Sequence, residues 1–186
     1  MNRKLVRAIT LATLLAVPAL AGELGGVTMP DDVTLDGKTL VLNGMGLREK
    51  FVFDVYVAGL YLEQTTSDPE AILSSDGPVR LHMHFVYKKV SAAKLVAAWN
   101  DGFKANAGDK MASLQAGLDQ LNSWMEEVVR GDSMIFTSTP EGLEVAVKGQ
   151  VKGVVPGADF ARAFWSVFLG PKPPTAPLKN GLLGPS

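Results

Sequence analysis

Apolar and polar positions alternate along residues 51–58. Phe51, Phe53, Val55 and Val57 hold one set of positions, and Val52, Asp54, Tyr56 and Ala58 hold the other. A period of two is that of a strand with two different faces. The run continues to Leu62 and begins behind Gly44-Met45-Gly46, which reads as a turn, and the single arginine Arg48. Upstream, Val33-Thr34-Leu35 and residues 39–42 bracket Asp36-Gly37-Lys38, a spacing that predicts a β-hairpin. Residues 22–32, with Gly25-Gly26 and Pro30-Asp31-Asp32, read as a loose leader into this hairpin. Residues 79–90 read as another long strand.

The period then becomes helical. Asp68 before Pro69 predicts a short capped helix, and Ser91 caps a longer one in which Leu95, Trp99 and Phe103 recur every fourth residue. Leu114, Leu118, Leu121 and Met125 form a stripe that predicts a helix over 109–129, ended by Gly131-Asp132. A hairpin of residues 133–139 and 143–155 turns around Pro140-Glu141-Gly142. A last long helix over 159–169 stops at Gly170-Pro171, and a short segment follows at 178–183. No repeat and no dividing linker is visible after the N-terminus. Strands first, helices in the middle and strands again predict an α+β fold, with helices packed on one face of an antiparallel sheet.

The first 21 residues follow a different pattern. Arg3, Lys4 and Arg7 precede an uncharged apolar run from residue 8 to residue 20, and Ala19-Leu20-Ala21 offers the small residues of a cleavage site. This is the layout of a secretory signal cleaved after Ala21, leaving residues 22–186 as one domain in the periplasm or outside the cell. The apolar run is short for a membrane span, so no stable span is expected once the signal is removed.

Residues 22–186 carry 15 basic and 19 acidic side chains, which argues against a nucleic-acid partner. There is no cysteine, so neither disulfides nor cysteine-ligated zinc is available, and stability must come from the core.

Several constellations invite chemistry and are explained more simply. Ser91-Ala92-Ala93-Lys94 has the Ser-x-x-Lys spacing of penicillin-recognising enzymes but lacks their partner motifs, and Ser91 serves as a helix cap. His82 and His84 share a strand face without an evident third ligand, so no metal or other cofactor is expected. Trp99, Phe103, Phe164, Trp165 and Phe168 fit a core. Glu126 and Glu127, adjacent on a predicted helix, point apart and are no catalytic dyad. Arg48 remains: an arginine beside aromatic and aliphatic side chains is suited to pairing with the carboxylate of an otherwise apolar ligand.

Three segments, in this order, resemble the chalcone isomerase-like family in its exported bacterial branch. They are residues 43–48 running into Phe53–Leu62, the strand Leu81-His82-Met83-His84-Phe85 before the Ser91 helix, and Phe164–Gly170 with Leu178–Gly184. The resemblance implies an open-faced β-sandwich, a large antiparallel sheet under a layer of helices with a ligand cleft between them. It also implies that Arg48 contacts an anionic oxygen, either a phenolate in a ring-closing isomerase or, with a tyrosine, the carboxylate of a fatty acid. The ligand-binding candidates are therefore Arg48, Tyr56 and Tyr61.

The isomerase's other groups do not carry over. Tyr56 stands where the enzyme has threonine, Met111, Leu114 and Leu118 occupy the region of its helical tyrosine and asparagine, and Val167 replaces a late hydroxyl. The expectation is a non-catalytic envelope protein that binds a fatty acid or similar amphiphilic carboxylate. An isomerase or lyase and a ligand-free structural or assembly factor are the alternatives.

Overall fold

The computed structural model describes residues 22–184, so the signal-peptide reading of residues 1–21 lies outside the described residues. The strands are β1 (Gly22–Leu24), β2 (Val27–Met29), β3 (Asp32–Leu35), β4 (Lys38–Lys50), β5 (Phe53–Leu62), β6 (Val79–Phe85), β7 (Lys89–Val90), β8 (Val128–Val129), β9 (Ser133–Thr139), β10 (Gly142–Val147) and β11 (Gln150–Pro156). The helices are α1 (Pro69–Leu73), α2 (Ala92–Asn106), α3 (Met111–Ser123), α4 (Ala158–Leu169) and α5 (Ala176–Leu182). Seven strands form one antiparallel sheet in the order β11-β10-β9-β6-β5-β4-β3, and the helices supply the second layer of an open-faced β-sandwich.

Alternation decides which side chains enter the layer between sheet and helices. Tyr56, Ala58, Leu60 and Leu62 of β5 join Leu81, Met83 and Phe85 of β6 and Met134 and Phe136 of β9 in the main core. Leu95, Trp99 and Phe103 of α2 and Phe160, Phe164 and Phe168 of α4 meet them from above. Phe136 lies 4.6 Å from Phe164 and 5.3 Å from Trp99 between ring centroids, so the rings interlock across the layer. Each such ring removed from water contributes about 1.5–3 kcal/mol. The predicted caps of the first two helices are present: Asp68 accepts from the amide of Glu70, and Ser91 from that of Lys94.

The opposite face of the sheet carries a smaller apolar cluster. Val27 and Met29 cover Val57 there, with Leu24, Met45 and Leu47 beside them. The expected loose leader is therefore a β1–β2 hairpin. Gly25 (φ 56°) and Gly26 (φ 75°) supply the left-handed backbone that a two-residue turn requires at both positions.

Four further elements differ from the sequence expectation; the first is the strand read over 79–90, which ends at Phe85 and resumes as β7 in a separate two-stranded sheet with β8. Strand 143–155 is two strands, β10 and β11, folded at Lys148-Gly149, both with positive φ. The helix expected over 109–129 ends at Ser123, because Val128 and Val129 leave it to pair with Val90 and Lys89. Gly44-Met45-Gly46 is not a turn but the middle of β4.

The reason for that last difference lies far away in the chain, in α5. A Cβ on Gly44 would sit 2.2 Å from the carbonyl oxygen of Gly181, and one on Gly46 would sit 2.3 Å from that of Leu178. The two glycines let α5 rest its backbone directly on the strand. Asn43 secures the contact, donating to the Leu182 carbonyl at 2.8 Å and accepting from the amide of Thr66 at 2.8 Å.

Candidate functional site

With Gly44 and Gly46 inside β4, the chain reverses later, at Phe51-Val52. Lys50 there pairs with Phe53, and Glu49 with Asp54. The reversal sets Arg48 directly opposite Tyr56 in the β4–β5 ladder, and Tyr56 in turn opposite Phe85 in β6. Directly opposed residues of an antiparallel pair project from the same face. Arg48 therefore stands on the helix-facing side of the sheet, at the end of β4 beyond the reach of α5.

Tyr56 is 8% exposed, and its ring meets Phe85 edge to face at 5.7 Å. Burial raises its pKa well above the ordinary 10.0, with the charge of Arg48 pulling weakly the other way. The phenol is thus neutral at any physiological pH and available as a donor.

Arg48 is half-buried and donates to the carbonyl oxygen of its neighbour Glu49. Among the described residues it forms no ion pair. Within the same residues the one fully buried side-chain N or O atom without a partner is Asn122 Oδ1. The Tyr56 hydroxyl, which has no protein partner among them either, therefore keeps contact with solvent. Arg48 and Tyr56 make a pair of donors on one face of the sheet, and what the pair lacks is an acceptor. A carboxylate would satisfy both groups with charge-assisted hydrogen bonds.

Tyr61 is placed elsewhere. It lies on the outer face of the sheet, fully buried, with its hydroxyl donating to the Pro30 carbonyl at 2.9 Å. Burial, reinforced by Asp31 and opposed by Arg80, raises its pKa to about 12. The structure does not bring it together with Arg48 and Tyr56.

Across α2, α4 and β9 the layer between sheet and helices is filled by interlocking rings. Two grooves, of about 650 and 180 Å³, lie at the far end of the sheet. The larger is lined by Asn106, Lys110, Asp159 and Arg162 among others, and neither reaches Arg48 or Tyr56.

Of the positions that depart from an isomerase, Leu114, Leu118 and Val167 are all buried in the main core. His82 and His84 lie on the outer face, where burial, then His84 and Arg80, lower the pKa of His82. No group of three or more metal-ligating side chains occurs among the described residues.

Sequence reasoning missed Phe85, the aromatic neighbour that holds Tyr56 in place. The signal for it was the alternation Leu81, Met83, Phe85, which marks all three as facing the helices.

An open-faced sandwich of a curled antiparallel sheet under helices is the architecture of the chalcone isomerase-like fold. A family model described as chalcone isomerase-like matches residues 21–184, and the chain belongs to that family. Among solved structures, a fatty-acid binding protein of Arabidopsis thaliana superposes with a TM-score of 0.69 at 18% identity, over 88% of this chain and 96% of that one. At that identity the likeness establishes the fold. A search of curated proteins finds no match.

Proposed function

We propose that this is an exported, non-catalytic protein of the cell envelope that binds a fatty acid or similar amphiphilic carboxylate, with Arg48 and Tyr56 holding the head group. The observation that carries the reading is the donor pair: a half-buried guanidinium without a carboxylate partner, opposite a neutral phenol whose hydroxyl is unpartnered among the described residues. An anion there would receive hydrogen bonds from both, and the apolar surroundings would favour an acid whose remainder is hydrocarbon. Each methylene buried would add about 0.8 kcal/mol, so affinity should rise with chain length. The resemblance in fold to a fatty-acid binding protein supports the ligand class.

Rings fill the layer across α2, α4 and β9, so a tail that ran there would have to displace side chains. That requirement is the specific support for a second reading, a structural or assembly factor that uses the fold without a ligand. The decisive measurement is calorimetric titration of a saturated fatty-acid series into the wild type and Arg48→Ala. On the proposed reading, affinity grows with chain length and Arg48→Ala weakens it by about 1.5–3 kcal/mol, the range for a hydrogen bond to a charged group. Absence of binding across the series would leave the ligand-free reading in place.

A further inference from the structure

The β4–β5 reversal is built against the usual rules for a tight turn. Its two loop residues are Phe51, 90% exposed, and Val52, 86% exposed, and Phe53 after them is 52% exposed. Phe51 adopts φ 57°, a left-handed backbone that two-residue hairpins normally assign to glycine or asparagine. A bulky apolar residue at that position gains no burial to offset its strain. Stability does not explain it, and strain held at an exposed site is a pointer to function.

The surroundings of the tip show what it suits. Edge-to-face packing of Phe53 on Tyr87, at 5.5 Å, braces its base. Ladder pairing brings β7 and β8 to the same end of the sheet, where Val129 is 42% exposed. The acidic groups of that end are largely occupied: Glu127 by Lys89, Glu126 by Lys148 and Lys152, and Asp132 by Lys148. Glu49 and Asp54 flank the tip itself. Arg48, Lys50, Lys88 and Arg130 have no ion pair among the described residues. Residues 22–186 are net acidic, yet among the described residues this end presents four unpaired cations, Arg48, Lys50, Lys88 and Arg130, against the two unpaired carboxylates of Glu49 and Asp54, around an apolar knob.

We propose that the Phe51-Val52-Phe53 tip docks the protein on an anionic lipid surface, with the unpaired cations engaging phosphate groups around the inserted side chains. A projecting knob fits a fluid interface, which closes around it, and needs no preformed socket. A second copy would have to supply an acidic apolar recess. The larger groove of this chain is lined by charges of both signs, Glu70, Asp109 and Asp159 with Lys110 and Arg162, so two of its three carboxylates have a cation in the same lining. Docking this way would set Arg48 and Tyr56 at the boundary between headgroups and hydrocarbon, where an amphiphilic carboxylate resides. The docking argument itself stands on the tip and does not depend on that ligand.

The test is vesicle flotation of the protein as isolated from cells expressing the full chain, with its N-terminus read by mass spectrometry. Vesicles of phosphatidylcholine mixed with phosphatidylglycerol are compared with phosphatidylcholine alone. The wild type should float with the anionic vesicles and release as salt is raised. The triple change Phe51→Ser, Val52→Ser, Phe53→Ser and the pair Lys50→Glu, Lys88→Glu should each weaken flotation by roughly tenfold or more. Phe51→Gly guards against misfolding: it relaxes the turn, so its Tm should not fall, and it should still lose vesicle binding. Unchanged affinity of these variants for a soluble fatty acid, measured without vesicles, separates failure of docking from failure of the Arg48 site. Wild-type flotation that ignores vesicle charge, no flotation at all, or variants that float like the wild type would overturn the proposal. So would a concentration-dependent dimer that the tip variants abolish, since the knob would then belong to a second copy.

Discussion

Tyr56 and Tyr61 lie on one strand, both buried, both with phenols whose ionisation burial opposes, yet they inhabit opposite kinds of surroundings. At the Tyr61 end the phenol and Asn43 both have their partners. The phenol donates to Pro30, Asn43 bonds both Leu182 and Thr66, and α5 lies flush on Gly44 and Gly46. At the Tyr56 end the donors of Arg48 and Tyr56 lack an acceptor beyond one backbone carbonyl, and an apolar turn stands in solvent. Burial does not distinguish the two tyrosines; hydrogen-bond accounting does. One end of β5 is built to stay shut and the other is left with unmet capacity.

The sharpest way to break the comparison is at the closed end. Gly44→Ala would press a methyl group into the Gly181 carbonyl and the Gly184 amide, both backbone atoms that no rotamer change can move aside. We expect a loss of about 2–3 kcal/mol, the usual cost of overpacking against rigid structure, read as a lowered urea midpoint. Lifting α5 should also expose the Asn43–Leu182 bond, seen as faster amide exchange in residues 176–182. A variant as stable as the wild type would show that α5 is not seated as described.

A smaller effect separates the two phenols directly. Tyr61→Phe orphans the Pro30 carbonyl and should cost about 1 kcal/mol of stability, with no effect on fatty-acid affinity. Tyr56→Phe removes a hydroxyl that holds no partner among the described residues, so stability should stay within about 0.5 kcal/mol of wild type while affinity falls severalfold. Paired unfolding and titration measurements on both variants decide the matter. If both behave as stability mutants, the Tyr56 end is not a binding site.

Much of this arrangement could be read from the chain, for reasons that differ from element to element. The alternation that put Tyr56 and Ala58 on one face survives in the structure, and Leu60 and Leu62 continue it, because a period of two is a local property that burial on one side preserves. The caps at Asp68 and Ser91 were legible because each uses a side chain and an amide a few residues apart. The role of Gly44 and Gly46 was not, because what demands glycine there is a helix near the far end of the sequence. The true reversal at Phe51-Val52 was invisible because it contains no glycine, asparagine, aspartate or proline to announce it. Tyr61 shared a strand with Tyr56, but only the position of Pro30 settles what its hydroxyl touches.

The subtlest difference between the two ends appears only in alkali. For Tyr61 the pKa is raised from 10.0 to about 12 in the folded protein, and that of Tyr56 is raised further. Below pH 10 folded and unfolded chains both keep these protons, so whatever stability the shifts represent is fully present. As pH rises from 10 toward 12 the unfolded chain gives up its phenolic protons first, and stability must fall. Urea midpoints measured at pH 9, 10 and 11 should therefore decline above pH 10 in the wild type. Tyr61→Phe and Tyr56→Phe should each make that decline shallower, and the double variant shallower still. The ends diverge in the effect of ligand: a saturating fatty acid should oppose the decline in Tyr61→Phe, where the Arg48–Tyr56 pair is intact, more than in Tyr56→Phe, where half of it is gone. Equal protection in the two variants would mean that the carboxylate is held by Arg48 alone, and that the neutral phenol opposite it is there for packing.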